Sequence, residues 1–355
     1  MLKILKIVLI VLLVLVVLVF GVVLPIVSVS IYKSVFDVRF ETKVDEYFTA
    51  DDYDGLNVEH VSFQTKQGHT LAGYKYRMED VTEPKGVVVW AHGFGGGGHC
   101  IYLPILQYFT EHGYAVFAYD ATANNESEGD VIGGFPQGVI DLDYAINYVK
   151  NDAAYSGLPI FLAGHSWGGY SVGNVLNFHT DIKGAVLFAG VDSSIAIIQQ
   201  EGSEYAGDWA KLMIPYVRIY EKIKYGKYAG TTATGGITSA ENTEVIVVHS
   251  TDDDTVLQEN GYDLFYAEHG DSDRVHFVLY TDRGHNNLFY NEDTMIERQL
   301  IDIDYDFYLM DYNLEDTREN HAAFRKEYVD YSIYYQMDED IMGQVVAMFD
   351  SKVNG

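Results

Sequence analysis

Basic residues, cysteine and proline are all scarce in this sequence. Twenty-three lysines and arginines face 52 aspartates and glutamates, and the 355 residues include one cysteine and six prolines. A formal charge of -29 argues against nucleic acid as a partner, because neutralising phosphates needs lysine and arginine. Cys100 alone cannot form an intrachain disulfide, so the hydrophobic core must hold the fold. No Pro/Ser-rich linker, internal repeat or low-complexity block interrupts the chain beyond about residue 58, which favours one large domain. Missing too are a P-loop Lys-Ser/Thr, a clustered His/Cys ligand set and, around Asp302, Asp304 and Asp306, the EF-hand pattern. Neither a metal nor an organic cofactor is therefore expected.

The first unusual presence is an uncharged apolar run at residues 7–27, made almost wholly of Ile, Leu and Val. At 1.5 Å per residue it is long enough to cross a hydrocarbon core of about 30 Å. It exceeds a signal-peptide core, and the nearest cleavage site, around Ser28 and Ser30, is poor. The sequence thus predicts a single-pass membrane anchor at 1–33, a juxtamembrane segment at 34–57 and a catalytic-size domain at 58–355. Lys3 and Lys6 precede the run. Lys33 and Arg39 follow it, diluted by Asp37, Glu41, Asp45 and Glu46. The Lys/Arg count is even, and the short N-terminal tail makes an inside N-terminus and an outside domain the simpler topology.

Beyond the anchor, buried-strand runs alternate with helical patterns, and three strand ends carry chemistry. At residues 160–163 an apolar strand runs into Gly164-His165-Ser166-Trp167-Gly168-Gly169, a G-x-S-x-G turn before a helix. Such a turn strains the serine backbone and lifts its hydroxyl at the carboxyl edge of a sheet, beside the amides of a helix N-terminus. Upstream, the strand at 86–91 empties into His92-Gly93-Phe94-Gly95-Gly96-Gly97-Gly98, a loop whose open amides suit a developing oxyanion, with His92 fastening it. Downstream, the strand at 244–248 ends near Asp252-Asp253-Asp254, and the one at 276–280 leads to Gly284-His285. Ser, Asp and His in that order, each just past a strand, can converge above one sheet edge.

With Tyr119-Asp120 and Asn125-Glu126-Ser127-Glu128-Gly129, these pieces resemble the α/β-hydrolases, in the bacterial branch of serine aminopeptidase-like and monoacylglycerol-lipase-like enzymes. The resemblance implies an α/β fold with a mostly parallel central sheet and helices on both faces. It also implies a helical cap inserted at about 192–241. Residue by residue, it makes Ser166 the nucleophile, His285 the general base and acid, and the Phe94 and Trp167 N–H groups the oxyanion donors. It selects Asp253, three positions before Val256, as the acid, with Asp252 and Asp254 still open. The implied activity is hydrolysis of a small-molecule acyl ester through an acyl-serine. A serine aminopeptidase acting on peptides is the alternative, and an inactive surface binding module is a third reading. The acidic segment at about 291–338 departs from the pattern; it could wall the site, pack on the cap or mediate association. The terminal stretch from Ile341 to Phe349 predicts an amphipathic helix.

Overall fold

A computed structural model describes residues 2–43, 47–334 and 336–353; Asp45 and Glu46, counted in the topology argument, lie outside the described residues. Eight strands form one sheet: β1 (Leu56–Gln64), β2 (Thr70–Met78), β3 (Val87–Ala91), β4 (Ala115–Tyr119), β5 (Ile160–His165), β6 (Gly184–Phe188), β7 (Glu244–Ser250) and β8 (Val275–Tyr280). Their order is β1-β2-β4-β3-β5-β6-β7-β8. Only β2 runs antiparallel to its neighbours β1 and β4, and from β4 through β8 every pairing is parallel.

The central strands are apolar runs because both of their faces are covered. Val87, Val89, Leu162, Ala185 and Leu187 point to one core with the helices Gln137–Asn151, Trp167–Val175 and Tyr262–His269. Val88, Trp90, Phe161, Ala163, Val186 and Phe188 point to the other, with Leu103–Glu111 and the predicted terminal helix, Glu339–Val353. Each parallel crossover carries the chain back over a face, so β3, β5, β7 and β8 all end at the same edge.

The segment 291–338 is largely helical, with Glu292–Tyr312 and Arg318–Tyr328 as its main elements. It packs against the domain itself, an arrangement outside the three roles expected of it: Ile301, Tyr305 and Phe324 join Phe48, Tyr53 and Phe289 in the second core. In the cap region, Ser194–Ala206, Ile214–Tyr225 and Ala233–Ser239 supply the helices.

The N-terminal helix spans Leu2–Phe36 and is long and apolar enough to cross a membrane. A π turn interrupts it at Val19–Val23, where the Leu24 N–H bonds to the Val19 carbonyl. Pro25 has no N–H to give the carbonyl four residues back, which accounts for the local change of register. Its last turns belong to the domain: Ser28, Tyr32 and Phe36 are buried, and Phe36 lies beyond the expected anchor end at residue 33.

Candidate active site

Ser166 follows β5 directly and stands at φ 58°, ψ -116°, in the strained region that the tight turn into Trp167–Val175 demands. Its amide donates to the Phe188 carbonyl of β6 at 2.8 Å, fixing the turn to the sheet. Gly168 makes the turn possible: a Cβ there would fall 1.9 Å from the Ala91 carbonyl oxygen at the end of β3. Ser166 is half-buried, placed beside the first amides of a helix whose N–H groups have no intrahelical partner.

The loops after β7 and β8 bring an acid and a base together. His285 donates Nδ1–H to Asp253 Oδ2 at 2.8 Å, and the other Asp253 oxygen accepts from the Thr255 and Val256 amides at 2.9 and 2.8 Å. The Asp253 side chain is fully buried. Burial would raise its pKa, but the hydrogen bond and charge of His285, the Val256 amide and His249 together hold it below the usual carboxylate range. Its neighbours behave differently. Asp252 accepts from the Ser250 hydroxyl and from the Gly284 amide at 3.0 Å, bracing the residue before His285, while Asp254 is exposed. Of the three aspartates, Asp253 is therefore the one in contact with the histidine. Ser166 and His285 share no direct hydrogen bond among the described residues.

The glycine-rich loop after β3 is held from several directions. His92 donates Nδ1–H to the Gly93 carbonyl at 2.8 Å and accepts the Ala121 amide at Nε2 at 2.9 Å. Phe94 lies in an aromatic cluster, with ring centroids 5.7 Å from Trp167, 5.7 Å from Phe36 and 5.1 Å from Phe40. The Phe94 amide has no protein partner among the described residues, and the Trp167 amide is the first of its helix.

Two contributors were not legible as site residues. His165, the residue before the serine, donates Nε2–H to the His285 carbonyl at 2.8 Å and accepts from the Tyr102 hydroxyl at Nδ1 at 2.9 Å. Tyr102 in turn accepts the Gly93 amide at 3.1 Å. A continuous chain thus joins the glycine-rich loop to the loop of His285. Burial, reinforced by electrostatic interaction with His285, pushes His165 down to about 3, so it stays neutral and keeps one donor and one acceptor.

Residues 36–42 form a strap over the same loop. Phe40 exchanges backbone hydrogen bonds with Ala123 and Asn125 at 3.1 and 3.0 Å. Thr42 donates its hydroxyl to the Gly96 carbonyl at 3.0 Å and its amide to Asn125 Oδ1 at 2.8 Å. Arg39 donates to the Ser127 and Gly129 carbonyls at 2.9 and 3.0 Å. The fit leaves no room for a side chain at Gly97, whose φ is +85° and whose Cβ would lie 2.1 Å from the Thr42 nitrogen. Among the described residues, no group of three His, Cys, Asp or Glu side chains is placed to hold a metal ion.

The geometry can be compared with known proteins. A family model described as serine aminopeptidase, S33, matches residues 82–227, a range that includes Phe94, Ser166 and Trp167. The chain is 37% identical to monoglyceride lipase of Rattus norvegicus over 89 residues, 24% of this chain and 28% of that one. It is 28% identical to caffeoylshikimate esterase of Arabidopsis thaliana over 127 residues, 35% of this chain and 37% of that one. These matches span between 28% and 37% of the relatives' lengths. An esterase of Pyrococcus furiosus has a similar fold, with a TM-score of 0.52 at 16% identity, over 80% of this chain and 95% of that one.

Proposed function

We propose, from the premise that the chain is an α/β-hydrolase of the serine aminopeptidase and monoglyceride lipase branch, that it is a membrane-anchored serine hydrolase cleaving carboxylic esters. The observation that carries the reading is a strained Ser166 at a helix N-terminus, whose neighbour His165 is bonded to the backbone of His285, a histidine seated on a fully buried carboxylate.

In this mechanism His285 removes the Ser166 proton as the hydroxyl oxygen attacks the ester carbonyl. Asp253 holds the imidazole in the tautomer that leaves Nε2 free to accept, and stabilises the cation that forms. The Phe94 and Trp167 amides take the oxyanion; losing one such donor typically costs about 2.7–4 kcal/mol. His285 then protonates the departing alcohol oxygen, the acyl group remains on Ser166, and a water activated by the same histidine releases the acid. The chain's own residues supply every proton transfer.

Membrane attachment is assigned to the apolar run 7–27 of the helix Leu2–Phe36, as a single-pass span of the cell membrane with the domain on the outer side. Protease accessibility of the domain in intact cells tests that side.

The serine is tested on the full chain in detergent by intact mass before and after a fluorophosphonate probe, beside Ser166→Ala. One adduct, absent from a folded Ser166→Ala, together with ester turnover that follows it, supports the reading. An adduct that persists in Ser166→Ala, or a folded wild type with neither adduct nor turnover, overturns it. The matched model's description favours peptidase activity as a second reading, which release of amino-terminal residues from peptides would support.

A further inference from the structure

The N-terminal helix and the cap are packed together. The stretch Leu24–Phe36 lies along Ile214–Tyr225, and Tyr32 donates its hydroxyl to the buried Glu221 at 2.9 Å, which also accepts from Ser194. Farther out, Tyr216 donates its hydroxyl to the Phe20 carbonyl at 2.6 Å. Phe20 belongs to the apolar run 7–27, roughly 10 Å before its end at Val27. A bilayer that encloses this run therefore reaches the Tyr216 end of the cap.

The exposed side of the cap suits that position. Trp209 is 76% exposed, Tyr205 90% and Ile223 80%. Ile219 and Ile223 stand one turn apart, facing away from the buried stripe of Ile214, Val217 and Tyr225. Charge changes sign here as well. Residues 205–228 hold Lys211, Arg218, Lys222, Lys224 and Lys227 against Asp208 and the buried Glu221, in a chain where acids outnumber bases by more than two to one. Lys211 pairs with Asp208 and Lys224 donates to the Gly133 carbonyl, while Arg218 and Lys222 flank the isoleucines on the exposed surface.

We propose that the cap docks on the leaflet from which the anchor helix emerges, with Tyr205, Trp209, Ile219 and Ile223 at the hydrocarbon boundary and Arg218 and Lys222 among anionic headgroups. The proposal rests on the membrane-anchor reading above. An amphipathic helix with aromatic and branched residues on one face and basic residues beside them partitions into that boundary. The charge pattern also selects an orientation, since an anionic surface repels the acidic remainder of the domain, including the exposed Glu201 and Glu204 of the cap, and attracts its basic stretch 211–227.

The tryptophans permit a direct test. Of the three, Trp90 and Trp167 are buried and Trp209 is exposed. The full chain is reconstituted in vesicles of phosphatidylcholine and phosphatidylglycerol, and its fluorescence is compared in ordinary and dibrominated acyl chains, beside Trp209→Phe and the double variant Arg218→Glu/Lys222→Glu. Alkaline carbonate extraction is run on the same vesicles. Docking predicts quenching in the wild type, its loss in Trp209→Phe, and less quenching in the double variant. Resistance to carbonate without Trp209 quenching overturns docking and leaves the anchor standing. Extraction by carbonate, with or without quenching at neutral pH, overturns the anchor reading and with it docking beside an anchor. Quenching that is equal in Trp209→Phe overturns docking too.

Discussion

At Asp253 a fully buried carboxylate keeps its charge because two amides occupy one oxygen and the imidazole N–H of His285 the other. Asparagine there keeps the size but turns either its amide or its oxygen toward the wrong partner. Asp253→Asn should lower kcat on esters by on the order of 10⁴-fold, the effect of losing the correct imidazole tautomer. Asp252→Asn removes a brace on Gly284 and leaves the His285 contact intact, so its kcat should stay within about tenfold of wild type, or about 1.4 kcal/mol. Steady-state kinetics on the two variants, with melting curves as controls, separates the neighbours. In the sequence the resemblance favoured Asp253 by its spacing to Val256 and left Asp252 and Asp254 open; the folded turn puts Asp253 against His285. His165 was hidden: its place in the serine motif accepts many side chains, so nothing in the pattern marked it as the link between Tyr102 and the loop of His285.

Elements that bury both faces were the most legible. β3, β6, the 160–163 part of β5 and the 245–248 part of β7 appear as apolar runs, and the terminal helix shows its inward stripe from Ile341 to Phe349. The strap was not legible. Residues 36–42 act through backbone hydrogen bonds, the Arg39 guanidinium, one threonine hydroxyl and two phenylalanines, and none of these generates a period. Its contribution can be measured. Thr42→Val removes the bond to the Gly96 carbonyl at nearly constant volume; it should lower kcat about tenfold with KM little changed, and Thr42→Ser should restore the rate. Equal loss in both variants would argue against the hydroxyl. Where the helix meets the cap, Tyr32→Phe deprives the buried Glu221 of a donor, and thermal melting of the full chain should register a loss of about 1–3 kcal/mol.

For the whole molecule, acid should be destabilising from near neutrality downward. His165 is pushed to about 3 and His321 to about 4, in each case mainly by burial and then by electrostatic interaction with a neighbour, His285 and Arg325 respectively. Unfolded histidines titrate near about 6.5, so below that pH the unfolded chain binds protons that the folded one refuses. This stabilising contribution is present above about 6.5 and declines as pH falls toward the folded values. Melting temperature measured from pH 7 to pH 4 should drop, and His321→Phe should flatten part of the slope; a profile unchanged by that substitution would locate the proton uptake elsewhere. The attachment of the domain has a last consequence. An ectodomain on a flexible tether sweeps a hemisphere and can be shed as a working enzyme. On the anchor reading proposed above, Ser28, Tyr32 and Phe36 continue the apolar helix into the domain, so the proposed site would be held at one height over the bilayer, and a protease cutting on the domain side of Tyr32 would release the domain without the residue that ties its cap.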